Sequence, residues 1–301
     1  MLWVALFLFT LKIRTITMLK EITPTRNAQE AITCASMNFQ VRESDVIGTN
    51  GLDIPDHKLI YREDTLEPLS VVGQGYRIIQ NQDCFSIFDK IMEKSGGYYE
   101  RAACLKQGRQ IILQASCGES FDSSPGDTVK MYLTLVTSHD GSSSLRMMLS
   151  PVRLACLNQL ATLNSNATTS FSLKHTINAD LHINDIFRAF GLAQKAFYEF
   201  RLQSQHLARK RWGVHKVNTF IDRVIPDTGS TRVKNQRDTV IRMIESGRGN
   251  NLATVTAWQA MQGLVEWIQY ERSQGERAIA SNLLGSGLDL KRKALAVALS
   301  I

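Results

Sequence analysis

The spacing of apolar residues changes partway along the chain, and that change constrains the fold more than any other feature. Four runs, Tyr98–Leu105, Arg109–Cys117, Thr128–Thr137 and Ser144–Leu149, are rich in β-branched and aromatic residues at a period near two. Between them lie Lys106-Gln-Gly108, Ser123-Ser-Pro-Gly126 and Asp140-Gly141, all turn-forming strings. Strand side chains alternate between faces, so short turns between such runs predict an antiparallel meander. From Ile186 the period lengthens. Ile186, Phe187, Phe190, Leu192, Ala196, Phe197 and Phe200 recur at helical spacing, and a second helical block, Thr254–Glu271, carries Trp258, Met261, Leu264, Val265 and Trp267. Strand runs followed by helical runs place the chain in the α+β class, a meander packed with helices and followed by a mainly helical basic C-terminal part.

Around this centre the chain divides into further stretches. Leu69-Ser-Val-Val72 and Tyr76-Arg-Ile-Ile79 flank Gly73-Gln-Gly75 and predict a strand or hairpin. A helix follows, capped by Asn81, carrying Phe85, Phe88, Ile91 and Met92, and ended by Gly96-Gly97. Pro151 at a first turn, with Val152, Cys156 and Leu160 every four residues, predicts another helix over 152–161, so residues 61–165 read as a βα(β)4α core. Residues 18–60 are polar with turn signals and read as an N-terminal arm. Thr162–Ser170 reads as a linker into a helical region, 166–301, in which Pro226–Arg237 is expected to be a mobile loop and Gly285-Ser-Gly287 a break. The apolar Leu2–Phe9 is far shorter than the ~20 residues that span a bilayer. Lys12 and Arg14 follow it, the reverse of a secretory signal. Residues 1–17 read as a leader from a mis-assigned start, with Met18 the initiator, or as a short buried or partner-binding strand.

Charge and cysteine usage narrow the setting. Cys34, Cys84, Cys104, Cys117 and Cys156 are scattered and never spaced as CxxC, which predicts reduced thiols in a cytoplasmic protein rather than disulfides or a zinc ribbon. The net charge of +7 lies in the C-terminal part, where 19 Lys and Arg against 11 Asp and Glu follow from Lys174 onward. Such asymmetry points to a polyanion, chiefly nucleic acid, or to a solvated basic face with no ligand.

The candidate binding residues follow from that charge. Arg201, Arg209, Lys210 and Arg211 are interleaved with Tyr198 and Trp212, the pattern in which cations meet phosphates and rings stack on bases of a single strand. Arg153, Lys174 and Arg248 are further phosphate candidates, and Tyr98, with Tyr99 and Arg101, is a stacking candidate at the sheet's first edge. Gly247-Arg-Gly-Asn-Asn251 lacks phosphate-loop and dinucleotide spacing, and reads either as an anion site at a helix N-terminus or as a helix cap. Thr137-Ser-His-Asp-Gly-Ser-Ser-Ser144 offers His139 and Asp140 to a metal or reads as a hairpin turn. His175 and His182 alone are too few for zinc. Cys156 falls on an apolar stripe and reads as a core thiol. No catalytic residue, metal or cofactor is expected.

Five strings resemble the domain-of-unknown-function family numbered 932, the phage/plasmid-like proteins of bacteria and their mobile elements. They are Leu69–Gln80, Ser138–Ser144, Pro151–Asn158, Lys174-His175, and Gly247–Asn251 leading to Thr256-Ala-Trp258. The likeness runs from about Met37 to Leu299 and departs at Leu157-Asn-Gln159 and in the leader. It implies a mobile-element protein without an assigned activity. A meander followed by a helix is also similar, in topology alone, to ring-forming single-strand annealing proteins of the Rad52 and Red-beta type. The two likenesses together imply a homo-oligomer that binds and anneals single-stranded DNA in recombination, holding it in a groove between meander and basic helices, with no cofactor and no membrane. The alternatives are a metal-dependent enzyme of nucleic-acid metabolism using His139, Asp140 and His175, or a protein that binds and inhibits a host defence protein.

Overall fold

The computed structural model describes residues 19–86, 88–161, 171–176, 183–248 and 255–301. Strand β1 (Lys20–Thr25) and helix α1 (Ala28–Cys34) come first, followed by β2 (Val41–Ile47), β3 (Asp53–Arg62) and β4 (Pro68–Gly73). Two short helices, α2 (Asn81–Ser86) and α3 (Asp89–Ser95), lead into the predicted meander, β5 (Tyr98–Leu105), β6 (Gln110–Asp122), β7 (Thr128–Ser138) and β8 (Leu145–Leu149). Three short strands follow, β9 (Val152–Arg153), β10 (Asn158–Gln159) and β11 (Phe171–Leu173). Helices α4 (Ile183–Arg209), α5 (Val214–Val224), α6 (Thr231–Ser246), α7 (Ala257–Glu266), α8 (Gly275–Leu284) and α9 (Ser286–Ser300) complete the chain. The fold is α+β. The larger sheet has the order β1-β5-β6-β7-β8-β11 with β9 on β7 and β10 on β9, and β2-β3-β4 form a separate small sheet.

Alternation along the strands makes the larger sheet a middle layer. Ile111, Leu113 and Ala115 of β6 and Met131, Leu133 and Leu135 of β7 share one core with Phe85, Phe88 and Ile91 and with Phe190, Phe197 and Phe200 of α4. The intervening residues Ile112 and Val136 face the other way and pack with Ala103, Leu105, Ile279 and Leu283, under α8. Each such side chain removed from water contributes about 1.5–3 kcal/mol. Helices α6 and α7 approach so closely that a Cβ on Gly263 would lie 2.6 Å from the backbone nitrogen of Ile244. Gly263→Ala is therefore expected to cost about 1–3 kcal/mol of stability in a urea titration, since helix backbones must part.

Several sequence expectations are corrected. The stretch 18–60 is not an arm: β1 pairs antiparallel with β5, Lys20 opposite Ala102, so β5 is an interior strand. Residues 152–161 form a small hairpin instead of a helix, with Leu157 at φ +55 in its turn. Val152, Cys156 and Leu160 are still buried, so the four-residue spacing marked a buried face and not a helix. Tyr76 makes only an isolated bridge to Thr176. Thr231–Arg237 belong to α6, because the Ser230 side chain accepts from the Val233 amide and caps the helix there. Asn81 does not cap α2; its side chain is buried and bonded to Met37 and His139. The leader, the Thr162–Ser170 linker and His182 lie outside the described residues.

Candidate nucleic-acid interface

Helix α4 is amphipathic along its whole length. Ile186, Ala189, Phe190, Ala193, Phe197, Phe200 and Leu207 are buried, with Phe197 and Phe200 against Phe121 of β6 at ring separations of 5.1 and 6.3 Å. Gln194 and Gln205 tie the helix to β6 by donating to Glu119 Oε1 and to the Asp122 carbonyl. The opposite side is solvated and basic. Arg188, Lys195, Leu202 and Arg209 are exposed at intervals of seven residues, which places them in one line about 30 Å long. Tyr198, 58% exposed, and Arg201 flank that line. Among the described residues none of the four cations is in an ion pair. The helix lies directly on the sheet, so this surface is a ridge and not the groove that the sequence suggested.

The predicted binding residues divide between surface and interior. Lys174, which follows β11 next to α4, is exposed, as are Arg209 and Arg211. Lys210 is half-buried and donates to the Leu299 carbonyl at 3.5 Å. Tyr98 accepts from Arg26 at 3.1 Å, and that guanidinium lies 4.8 Å over its ring, covering one stacking face. Tyr99 is buried under the helices, its hydroxyl 3.2 Å from Asp89. Arg101 is buried over the Tyr132 ring. Trp212 is only 4% exposed and packs on Phe220 at 5.5 Å, so it cannot stack on a base.

Arg153 is not a surface cation either. It is 3% exposed, and its Nε donates to Asp127 Oδ1 at 2.5 Å. Asp127 Oδ2 also accepts from Trp258 Nε1 at 2.7 Å and from Ser123 Oγ at 2.6 Å. The rest of the β9–β10 hairpin is gripped in the same way: Asn158 donates to Gln262, the Gln159 amide donates to Gln269, and Tyr270 donates to the Cys156 carbonyl. Together these bonds clasp the sheet to α7 and the turn after it. The Gly247–Asn251 string starts at the C-terminus of α6, where Gly247 caps the helix by donating to the Met243 carbonyl, so its described residues stand at a helix C-terminus and not at an N-terminus. The Arg248 amide donates to the buried Glu266 at 2.8 Å, and its guanidinium lies 4.8 Å over Tyr270. Gly249, Asn250 and Asn251 lie outside the described residues.

The sequence profile of the Domain of unknown function (DUF932) family matches residues 68–290. The chain belongs to the DUF932 family. The match covers β4, the meander, the clasp and α4 to α8, a narrower span than the likeness read from the motifs. No curated protein and no solved structure matches the chain, and nothing supports the likeness to ring-forming annealing proteins, since the helix expected directly after the meander is the β9–β10 hairpin.

In this DUF932 chain the His-Asp-Gly string is a turn. Asp140 Oδ1 accepts from the Ser142 amide at 2.9 Å, and Gly141 supplies a φ of +71 that a side chain would strain. His139 is buried with Nε2 2.8 Å from Asn81 Oδ1, and burial pushes its pKa down to about 4. His175 lies between Thr137 Oγ1 and the Arg77 carbonyl, each at 3.2 Å, stacked on Tyr76, and burial lowers its pKa as well. Both are neutral core histidines. No group of three His, Cys, Asp or Glu side chains among the described residues is placed to hold a metal, and His139, Asp140 and His175 do not form such a group. Burial raises the Cys84 and Cys117 thiols to about 12 and the Cys156 thiol above its usual range, which makes these sulfurs poor nucleophiles. Among the described residues no helix is long and apolar enough to cross a membrane. Sequence reading missed Arg188 and Lys195 as candidate site residues, although Arg188, Lys195, Leu202 and Arg209 follow one another at seven-residue steps.

Proposed function

We propose that this DUF932 protein binds single-stranded DNA along the α4 ridge and anneals complementary strands as an oligomer. One observation carries the reading: Arg188, Lys195 and Arg209 line up on the solvent face of α4, free of ion pairs among the described residues, beside the exposed ring of Tyr198. Cations in a line neutralise successive phosphates, and one exposed ring stacks on any base without reading sequence. A protruding ridge holds the backbone while leaving base edges free for a second strand, which annealing requires. A duplex has its bases already stacked and offers Tyr198 nothing.

The test is fluorescence anisotropy of a labelled single-stranded oligonucleotide at two salt concentrations, with duplex of equal length as competitor. Binding should prefer the single strand and weaken with salt. In the triple variant Arg188→Gln, Lys195→Gln, Arg209→Gln, the slope of log K against log salt should become shallower by about 0.7 for each cation removed. No binding at low salt, or a triple variant with an unchanged slope, would sink the reading.

A further inference from the structure

The small sheet β2-β3-β4 is built unlike the rest of the molecule. Its base is rooted in the core: Ile60 and Leu69 are buried, and Ser70 Oγ donates to the His139 carbonyl. Its outer half is covered on neither face, since Asp53 to His57, five consecutive residues of β3, are all exposed. Alternate residues of a strand point to opposite faces, so a ribbon with five exposed in a row stands out into solvent. β2 and β4 pair only with β3 among the described residues, leaving two free edges. At the tip Ile47 is 67% and Leu52 65% exposed, an apolar pair of the kind that marks an interaction site. From Glu43 to His57 the chain has four carboxylates, Glu43, Asp45, Asp53 and Asp56, and no Lys or Arg. The cations that flank this stretch are both paired, Lys58 with Glu43 at 2.8 Å and Arg42 with Glu63 at 3.0 Å.

A surface of matching character and opposite charge lies on the same chain. At the start of α5, Val214 is 78% exposed, and Arg211, His215 and Lys216 around it are exposed too. We infer that the acidic, apolar-tipped ribbon of one copy docks on the basic, apolar-centred start of α5 in the next copy. The occupant is a second copy of this chain because both halves of the contact, an apolar centre with an acidic rim and an apolar centre with a basic rim, are present on one molecule. The two halves are on different surfaces, so the contact is head-to-tail and repeats from copy to copy, closing into a ring or running on as a filament. The patch begins two residues beyond Arg209, at the C-terminal end of the α4 ridge, so docking there leaves Arg188, Lys195 and Tyr198 open. This deepens the oligomeric part of the function proposed above and names the surfaces that make it.

Mixing two variants in sedimentation velocity without DNA tests the contact. Ile47→Asp with Leu52→Asp spoils the ribbon, and Val214→Asp with Lys216→Glu spoils the patch. All four positions are exposed, and circular dichroism checks that both variants fold. The unaltered protein should sediment as an oligomer and each variant as a single chain. An equal mixture should form a species of twice the single-chain mass, since one intact ribbon still meets one intact patch. An unaltered protein that remains a single chain, a ribbon or patch variant that still assembles fully, or a mixture that gives no dimer would each overturn the inference. Anisotropy on the single-chain variants keeps the two proposals apart: DNA binding through the ridge should survive at the level of one subunit even where docking is lost.

Discussion

Asp127→Ala should lower the unfolding free energy by about 3–5 kcal/mol, far more than any change on the α4 ridge. The carboxylate is buried, and three donors from three parts of the chain converge on it: Arg153 from the β9–β10 hairpin, Trp258 from α7 and Ser123 from the end of β6. Alanine would take the Asp127 carboxylate away from the buried Arg153 guanidinium and remove the acceptor of the Trp258 N–H. Losing one partner of a buried pair costs more than losing both, because it is the stranded charge that is expensive. Asp127→Leu combined with Arg153→Met is therefore expected to recover much of the loss. Urea unfolding of the three proteins measures both effects. A cost under about 1 kcal/mol for Asp127→Ala would mean that the clasp does not hold the sheet to the helices.

Lys291→Met is expected to stabilise the protein, and by an amount that depends on pH. Lys291 is fully buried in α9, its Nζ donates to the Asn282 carbonyl at 3.4 Å, and burial pushes its pKa down to about 7 from 10.5. Below pH 7 the lysine is charged in both folded and unfolded chains, and the folded state bears the whole cost of burying the charge. Between pH 7 and 10.5 the unfolded chain still binds the proton and the folded chain does not, so stability rises with pH by roughly 1.4 kcal/mol per unit from this group. The advantage of methionine should be largest below pH 7, where it amounts to several kcal/mol, and should shrink steadily above it. Denaturation of both proteins at pH 6, 8 and 9.5 measures the difference, in which the other titrating groups cancel. A constant difference across that range would contradict a buried charge at Lys291.

The particular residues show what a sequence read alone can carry. The meander was legible because its runs are rich in β-branched and aromatic residues and are cut by turn-forming strings, although β6 and β7 are buried on both faces. The ribbon was not, because β2 and the outer half of β3 are solvated on both faces and leave no alternation to read. Pro151–Leu160 gave a helical spacing because a tight hairpin can also bury every fourth residue. The proposed site was half legible. The Arg209–Arg211 cluster was visible as a run of charge, whereas Arg188 and Lys195 are single charges that become a line only once α4 is a helix. Arg153 and Trp212 have the right chemistry for nucleic acid, but sequence does not say which way a side chain points, and both point inward. The family motifs show the same limit: Arg153, Asn158 and Trp258 hold the clasp, and the His-Asp-Gly string makes a turn.

We propose that the α4 ridge, and not the clasp or the His-Asp-Gly turn, meets the nucleic acid. Photocrosslinking a single-stranded oligonucleotide to the protein and identifying the attached peptides tests this most directly. Attachment is expected within Arg188–Arg209, with Tyr198 the principal residue, and with a sharp fall in yield for Tyr198→Ala. Attachment confined to residues far from α4, with Tyr198→Ala without effect, would contradict it.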